Sequence, residues 1–149
     1  MSALRKFLAL TGRERLLLLE AGIYLGAARA ALLVIPFRRI ARHLGRQFPP
    51  EHSPVSDAPV PSEARKIAWA VELMSRRTPW ESACLAQSMA GKFMLRRRGF
   101  PSWLYLGMRR DETGKLLAHA WLRAGDEILL GGGRLETFTA LSSFGEPAP

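Results

Sequence analysis

Cys84 is the only cysteine in the chain and His119 one of three histidines, and the two together carry the chemistry the sequence offers. A thiol deprotonated by an imidazole attacks carbonyl carbon, so the pair points to acyl chemistry. A lone cysteine is commonly just a small buried hydrophobe. Cys84 departs from that pattern because it falls in the first turn of an expected helix, where unpaired N–H groups and the helix dipole favour a thiolate. Thr78-Pro79 and Trp80 precede it, so the helix start should line a cleft. A histidine inside a strand is commonly a satisfied core residue, but His119 lies between Ala118 and Ala120, with Trp121 next. Small neighbours leave room for a side chain from a helix. A cysteine at a helix start facing a strand histidine is the geometry a thiolate–imidazolium pair needs.

Other chemistry is poorly supplied. One cysteine excludes an internal disulfide and a cysteine-based zinc cage, and it fits a reducing, cytoplasmic compartment. His43, His52 and His119 have no ligand-like spacing, so neither a metal nor any other cofactor is expected. The net charge of +9 would ordinarily suggest an anionic partner. However, residues 1–47 hold nine Lys or Arg against only Glu14 and Glu20, which is +7 of that total. A nucleic-acid enzyme would spread its basicity over the active face, so no nucleic-acid partner is expected.

The elements that position the pair can be read from punctuation and period. A chain of 149 residues with 48% hydrophobic content is enough for one compact domain. Thr11-Gly12-Arg13-Glu14 has the form of a capping box, so a helix should run from there to about Ile35, where Pro36 stops it. The stretch from Leu16 to Pro36 is long enough to cross a bilayer, but it contains Glu20 and Arg29. A mid-span Arg costs roughly 2.5–3.5 kcal/mol on insertion scales, which argues against spanning. No signal-peptide pattern is present. The helix is apolar nearly all round and has to be covered by the catalytic domain, a partner protein or a membrane surface, with a partner favoured.

A second short helix is expected over Phe37–Gly45. Residues 1–47 thus read as a basic, apolar helical arm, 48–61 as a proline-rich linker, and 62–149 as the catalytic domain. Ser62 can cap a helix over Glu63–Arg77. A third helix should start near Glu81 or Ser82, run through Cys84, and end with Gly99 as its cap. From Ser102 the period shifts towards two, with strands at Ser102–Met108, Leu116–Leu122 and Glu127–Leu130. The layout is α+β, a nucleophile helix packed on a small antiparallel sheet. Arg96-Arg97-Arg98 reads as a solvated helix end answering the dipole. Gly131-Gly132-Gly133 lacks the Lys-Ser/Thr of a phosphate loop and reads as a strand-end turn. Trp69, Trp80, Trp103 and Trp121 read as core, with Trp80 and Trp121 also able to wall a substrate groove.

Five runs then align with a known family: Trp80-x-x-x-Cys84-Leu85-x-Gln87, Leu95-Arg96-Arg97-Arg98-Gly99-Phe100-Pro101, Leu106-Gly107-Met108, Ala118-His119-Ala120-Trp121 and Leu129-Leu130-Gly131-Gly132. Together with Arg13–Glu20 and Pro36-Phe37-Arg38-Arg39, the chain resembles the transglutaminase-like leader peptidases of lasso-peptide biosynthesis. The resemblance implies a papain/transglutaminase-like core and a cysteine protease that removes the leader from a ribosomally made precursor peptide. It also implies two partners, a small leader-recognition protein and an ATP-dependent macrolactam synthetase. Such proteases resemble a Cys-His-Asp triad, with an acid on the strand after the histidine. If Ala124-Gly125 formed the hairpin turn, position 119 would pair with Leu130 and lie beside Gly131, and neither is an acid. Asp126 and Glu136 are therefore rival third members beside a bare dyad. The Cys84 backbone N–H, at the helix start, would be an oxyanion donor. An acyl transferase and a non-catalytic peptide-binding or scaffold subunit are the alternative functions.

Overall fold

The computed structural model describes residues 2–49, 58–77, 84–132 and 135–145, with the side chains of Ala3 and Glu136 excepted. Helix α1 (Ala3–Leu8) starts under the Ser2 hydroxyl, which accepts from the Arg5 N–H at 3.2 Å. Helix α2 (Gly12–Val34) starts in the same way under Thr11, whose Oγ1 accepts from the Glu14 N–H at 3.2 Å, and it stops before Pro36 as expected. The short α3 (Phe37–Ala41), strand β1 (Arg46–Phe48), α4 (Ser62–Ser75) and α5 (Cys84–Arg97) come next. Strands β2 (Trp103–Arg110), β3 (Leu116–Ala124) and β4 (Glu127–Leu130), a 3₁₀ turn at Leu135–Thr137, and β5 (Thr139–Gly145) complete the order. The five strands form one antiparallel sheet in the order β1-β5-β2-β3-β4, so the α+β layout is observed.

Helix α5 is the central element. It packs on β3 of the sheet and also on α2 and α4, and Ala86, Met89, Ala90, Gly91, Met94 and Leu95 are all buried. At Gly91 the helix comes so near the sheet that a Cβ would lie 2.6 Å from Leu130 Cδ1 and 3.0 Å from Leu122 Cδ2. One residue further on, the buried Lys92 Nζ donates to the Ser102 carbonyl at 2.7 Å, tying the helix to the entry of β2. The helix ends as the sequence predicts: Gly99 takes φ 78°, and the Phe100 N–H returns to the Leu95 carbonyl at 3.0 Å.

The sheet has two differently occupied faces. Leu104, Leu122, Leu130 and Phe144 point into the core shared with the helices. Trp103, Tyr105 and Trp121 point the other way and form a second cluster with Phe48 and Phe138. Successive residues alternate between these faces, which settles the direction of every side chain on β3.

Residues 1–47 are not decoupled from the rest of the chain, which corrects the expected docking arm. Leu18, Ala21, Leu25 and Ala28 of α2, with Ile40 and Leu44, lie in the same core as Ile67, Val71, Met89 and Met94. The apolar face finds cover inside the molecule. Arg46 to Phe48, expected at the arm–linker boundary, form β1 and pair with β5. Val60, expected in the linker, is buried in the core. Nor is Arg96-Arg97-Arg98 merely a solvated helix end. Arg98 Nη2 meets Glu20 Oε2 at 2.6 Å, Arg97 Nη1 meets Glu20 Oε1 at 3.1 Å, and Arg96 donates to the His43 carbonyl. The Glu20 that spoils a membrane span thus clasps α2 to α5. Trp69, expected in the core, is 37% exposed.

Both the clasp and the close approach at Gly91 can be tested. Hydrogen bonding from Arg98 holds the Glu20 carboxyl below its ordinary value of 4.5, so its contribution is full at neutral pH and is lost as pH falls through that range. Glu20→Gln should lower stability at neutral pH by about 1 kcal/mol and flatten the decline in acid, as read from urea titrations at several pH values. Gly91→Val should cost about 1–3 kcal/mol or more, because branched carbons have to displace Leu122 and Leu130. The shift of the thermal midpoint measures it.

Candidate functional site

Cys84 is half-buried and is the first described residue of α5, so its thiol and N–H stand at the N-terminal end of the central helix. Trp80 and the expected helix start at Glu81 or Ser82 lie outside the described residues. The buried body of α5 fixes the direction in which this end points. After α5 a short connection leads into β2, and Trp103 at the start of β2 pairs with Arg123 near the end of β3. The C-terminal end of α5 therefore lies at the Arg123 end of β3, and Cys84 lies towards the His119 end. Gly91 is level with Leu122; going back seven residues along the helix and three along the strand both cover about 10 Å. Cys84 and His119 share one level of the sheet.

They do not share one face. Ala120 and Leu122 lie on the helix side, whereas His119 alternates onto the side of Trp121 and Tyr105. Its ring stands 5.9 Å from the Trp121 ring at 27° and 4.9 Å from Phe138 at 32°. Trp121 in turn stacks on Tyr105 at 5.5 Å and 3°. Opposite His119 on β2 is Gly107, and a Cβ there would lie 2.8 Å from the Trp121 ring, so the missing side chain lets the indole lie flat. Trp121 is 7% exposed and serves as a wall for the imidazole rather than as an open groove. Arg109 lies over the other aromatic wall, its guanidinium carbon 5.3 Å from the Phe138 centroid. Among the described residues no hydrogen bond joins Cys84 to His119. Since β4 ends at Leu130, its pairing with β3 begins only at Leu122, and His119 lies beyond it.

The group that does hold the imidazole is a main-chain carbonyl. His119 Nε2 lies 2.7 Å from the Gly131 oxygen. A carbonyl only accepts, so Nε2 carries a proton, and in the neutral ring the lone pair that a general base requires is on Nδ1. Gly131 is at φ +74°, and a Cβ there would lie 2.4 Å from the Ala120 oxygen, so this approach is open only to glycine.

The register explains the placement. The turn residues are Gly125-Asp126, and Ala124 pairs with Glu127 rather than Arg123 with Asp126 as expected. An irregularity between Leu122 and Arg123 then sets Leu122 opposite Leu130, which brings Gly131 beside Trp121. Asp126 is exposed on the hairpin tip, with its N–H on the Ala58 carbonyl at 3.2 Å. It lies seven residues from His119, beyond the end of β3 at Ala124, which is itself about 17 Å from His119 along the strand. The structure does not bring Asp126 to the imidazole. The Glu136 backbone lies in the 3₁₀ turn before β5, while its side chain lies outside the described residues. Sequence reasoning gives no sign of Phe138; it places Gly131 beside position 119 but assigns its carbonyl no role. Among the described residues no three His, Cys, Asp or Glu side chains converge as metal ligands.

Residues 31–143, from the last turns of α2 into β5, match a family model described as the transglutaminase-like superfamily. No curated protein and no solved structure matches the chain.

Asp126→Asn should leave turnover within about twofold of wild type, whereas Gly131→Ala, which pushes the carbonyl off Nε2, should lower it by roughly tenfold or more. Nitrogen NMR of the histidine ring should show the Nε2-protonated tautomer in wild type and in Asp126→Asn. An Nδ1-protonated ring in wild type would contradict the assignment.

Proposed function

This chain belongs to the transglutaminase-like superfamily, and on that footing we propose that it is a cysteine peptidase that removes the leader from a lasso-peptide precursor. Members of the superfamily are commonly cysteine peptidases or acyltransferases. The observation that carries the reading is the His119–Gly131 bond, which leaves Nδ1 free to take a proton. The Cys84 thiol attacks the scissile carbonyl as Nδ1 takes its proton, and the imidazolium returns that proton to the leaving amine. Water, deprotonated by the same nitrogen, opens the thioester. The Cys84 N–H at the helix start is an oxyanion donor. Catalytic contacts are often incomplete in the absence of substrate, and this reading requires peptide binding to turn the imidazole from its place beside Trp121 towards the Cys84 side of β3. The motif resemblance supports a leader peptide as substrate, with a leader-recognition protein and a macrolactam synthetase as partners.

A scaffold subunit without catalysis is the second reading, favoured by two observations: among the described residues the thiol and imidazole are not hydrogen-bonded, and the ring lies on the sheet face away from α5. Thiol labelling at neutral pH separates the two, since a readily modified Cys84 belongs to the enzyme and an inert one to the scaffold. Cys84→Ala and His119→Ala should each reduce leader removal by about a thousandfold or more while leaving the thermal midpoint near wild type. Mass spectrometry of precursor incubated with the recognition protein reads the product. Full activity in either folded variant overturns the assignment.

A further inference from the structure

Only one face of α2 is covered. Leu18, Ala21, Leu25 and Ala28 face the core, while Leu16, Leu19, Ile23, Leu33 and Val34 are between 54% and 79% exposed. With Ala27 and Ala30, also exposed, these positions recur every three or four residues and form one continuous outward stripe. From Leu16 to Val34 it is about 27 Å long. No charge interrupts it: Glu20 is turned aside into the clasp with Arg97 and Arg98, and Arg29 is half-buried and partnered. Leu4 and Leu8 of α1 add two more exposed aliphatic side chains at its start.

The stripe is framed by cations. Arg5, Lys6 and Arg13 precede it, Arg38, Arg39 and Arg42 come after it, and all six are exposed. None of the six forms an ion pair among the described residues. We propose that this face seats the protein on an anionic lipid surface, with α2 lying in the plane of the interface. The sequence alone favoured a partner protein, and the composition of the exposed face argues against that. Protein interfaces draw their strength from Trp, Tyr and Arg, while Leu and Val are under-represented at their centres. The stripe holds no aromatic residue and no hydrogen-bonding side chain, only aliphatic surface with basic residues at both ends. Acyl chains require aliphatic surface and nothing more, and lipid phosphates answer the arginines. Length and mean hydropathy would also allow α2 to span a membrane. Its packing on α4 and α5 and the Glu20 clasp hold it flat against the domain instead.

Flotation of the full chain with vesicles tests this independently of peptidase activity, and a Cys84→Ala protein can be run in parallel. The chain should float with vesicles of equal phosphatidylglycerol and phosphatidylcholine, and much less with phosphatidylcholine alone. Leu19→Glu with Ile23→Glu, at exposed positions, should reduce the bound fraction at least tenfold without changing circular dichroism. Arg38→Glu with Arg39→Glu should weaken binding to the anionic vesicles and reduce its salt dependence. Absence of wild-type flotation, or flotation that the Leu19/Ile23 variant retains, overturns the proposal. So does a result in which the stripe variant loses a recognition-protein or synthetase complex while vesicle binding is unchanged.

Discussion

A helix can approach a sheet only as closely as the side chains at their contact allow, and at Gly91 the central helix has none. The ends of Leu122 and Leu130 occupy the space that a side chain there would need. This single close approach fixes the height of α5 over β3 and β4, and with it the level at which Cys84 meets the sheet. The other restraints act on the same helix. Lys92 anchors it to the entry of β2 and the Glu20 clasp draws α2 onto it. The end that carries the thiol is half-buried, while Arg96 and Arg97 at the other end are exposed.

The imidazole is held by a different logic. Trp121 and Phe138 flank its ring, and one main-chain oxygen fixes its tautomer. A carboxylate in that position would both orient the ring and stabilise its cationic form through charge. A carbonyl can orient the ring as well but contributes only its dipole. Positive φ at Gly131 and the bare Gly107 are what this arrangement costs the backbone.

Local signals made much of this fold legible. Thr11, Pro36 and Gly99 mark their boundaries through short-range sterics and hydrogen bonding, and each acts in the structure as its residue type dictates. The α+β order, and Cys84 at a helix start with His119 on a strand, were readable for the same reason. What escaped was non-local. β1 is three residues long and β5 starts just after the 3₁₀ turn at Leu135–Thr137, and neither has a pattern until the other is present. The register of the β3–β4 hairpin depends on one irregular step at Leu122/Arg123, which no side-chain type announces. The group bonded to His119 belongs to the backbone, where residue identity carries no acid or base. Arg96 to Arg98 looked solvent-directed because their acceptors, Glu20 and the His43 carbonyl, are distant in sequence.

The place of β5 in the sheet bears on how the chain reaches this structure. β5 is the last strand in sequence but an interior one in space, paired with β1 on one side and β2 on the other. Arg46 and Gly145, about a hundred residues apart, are register partners. During synthesis α2, α4 and α5 can collapse on one another early, but β1 has no neighbour until β5 emerges. The loop closed by that pairing is long, and contacts of such separation form slowly. Until then β2 exposes an unpaired edge, and the aromatic cluster of Phe48, Trp103 and Phe138 lacks its enclosing strand. The nascent protein therefore passes through a stage in which α5, with Cys84, is already packed while the sheet that carries His119 is still open to wrong strands.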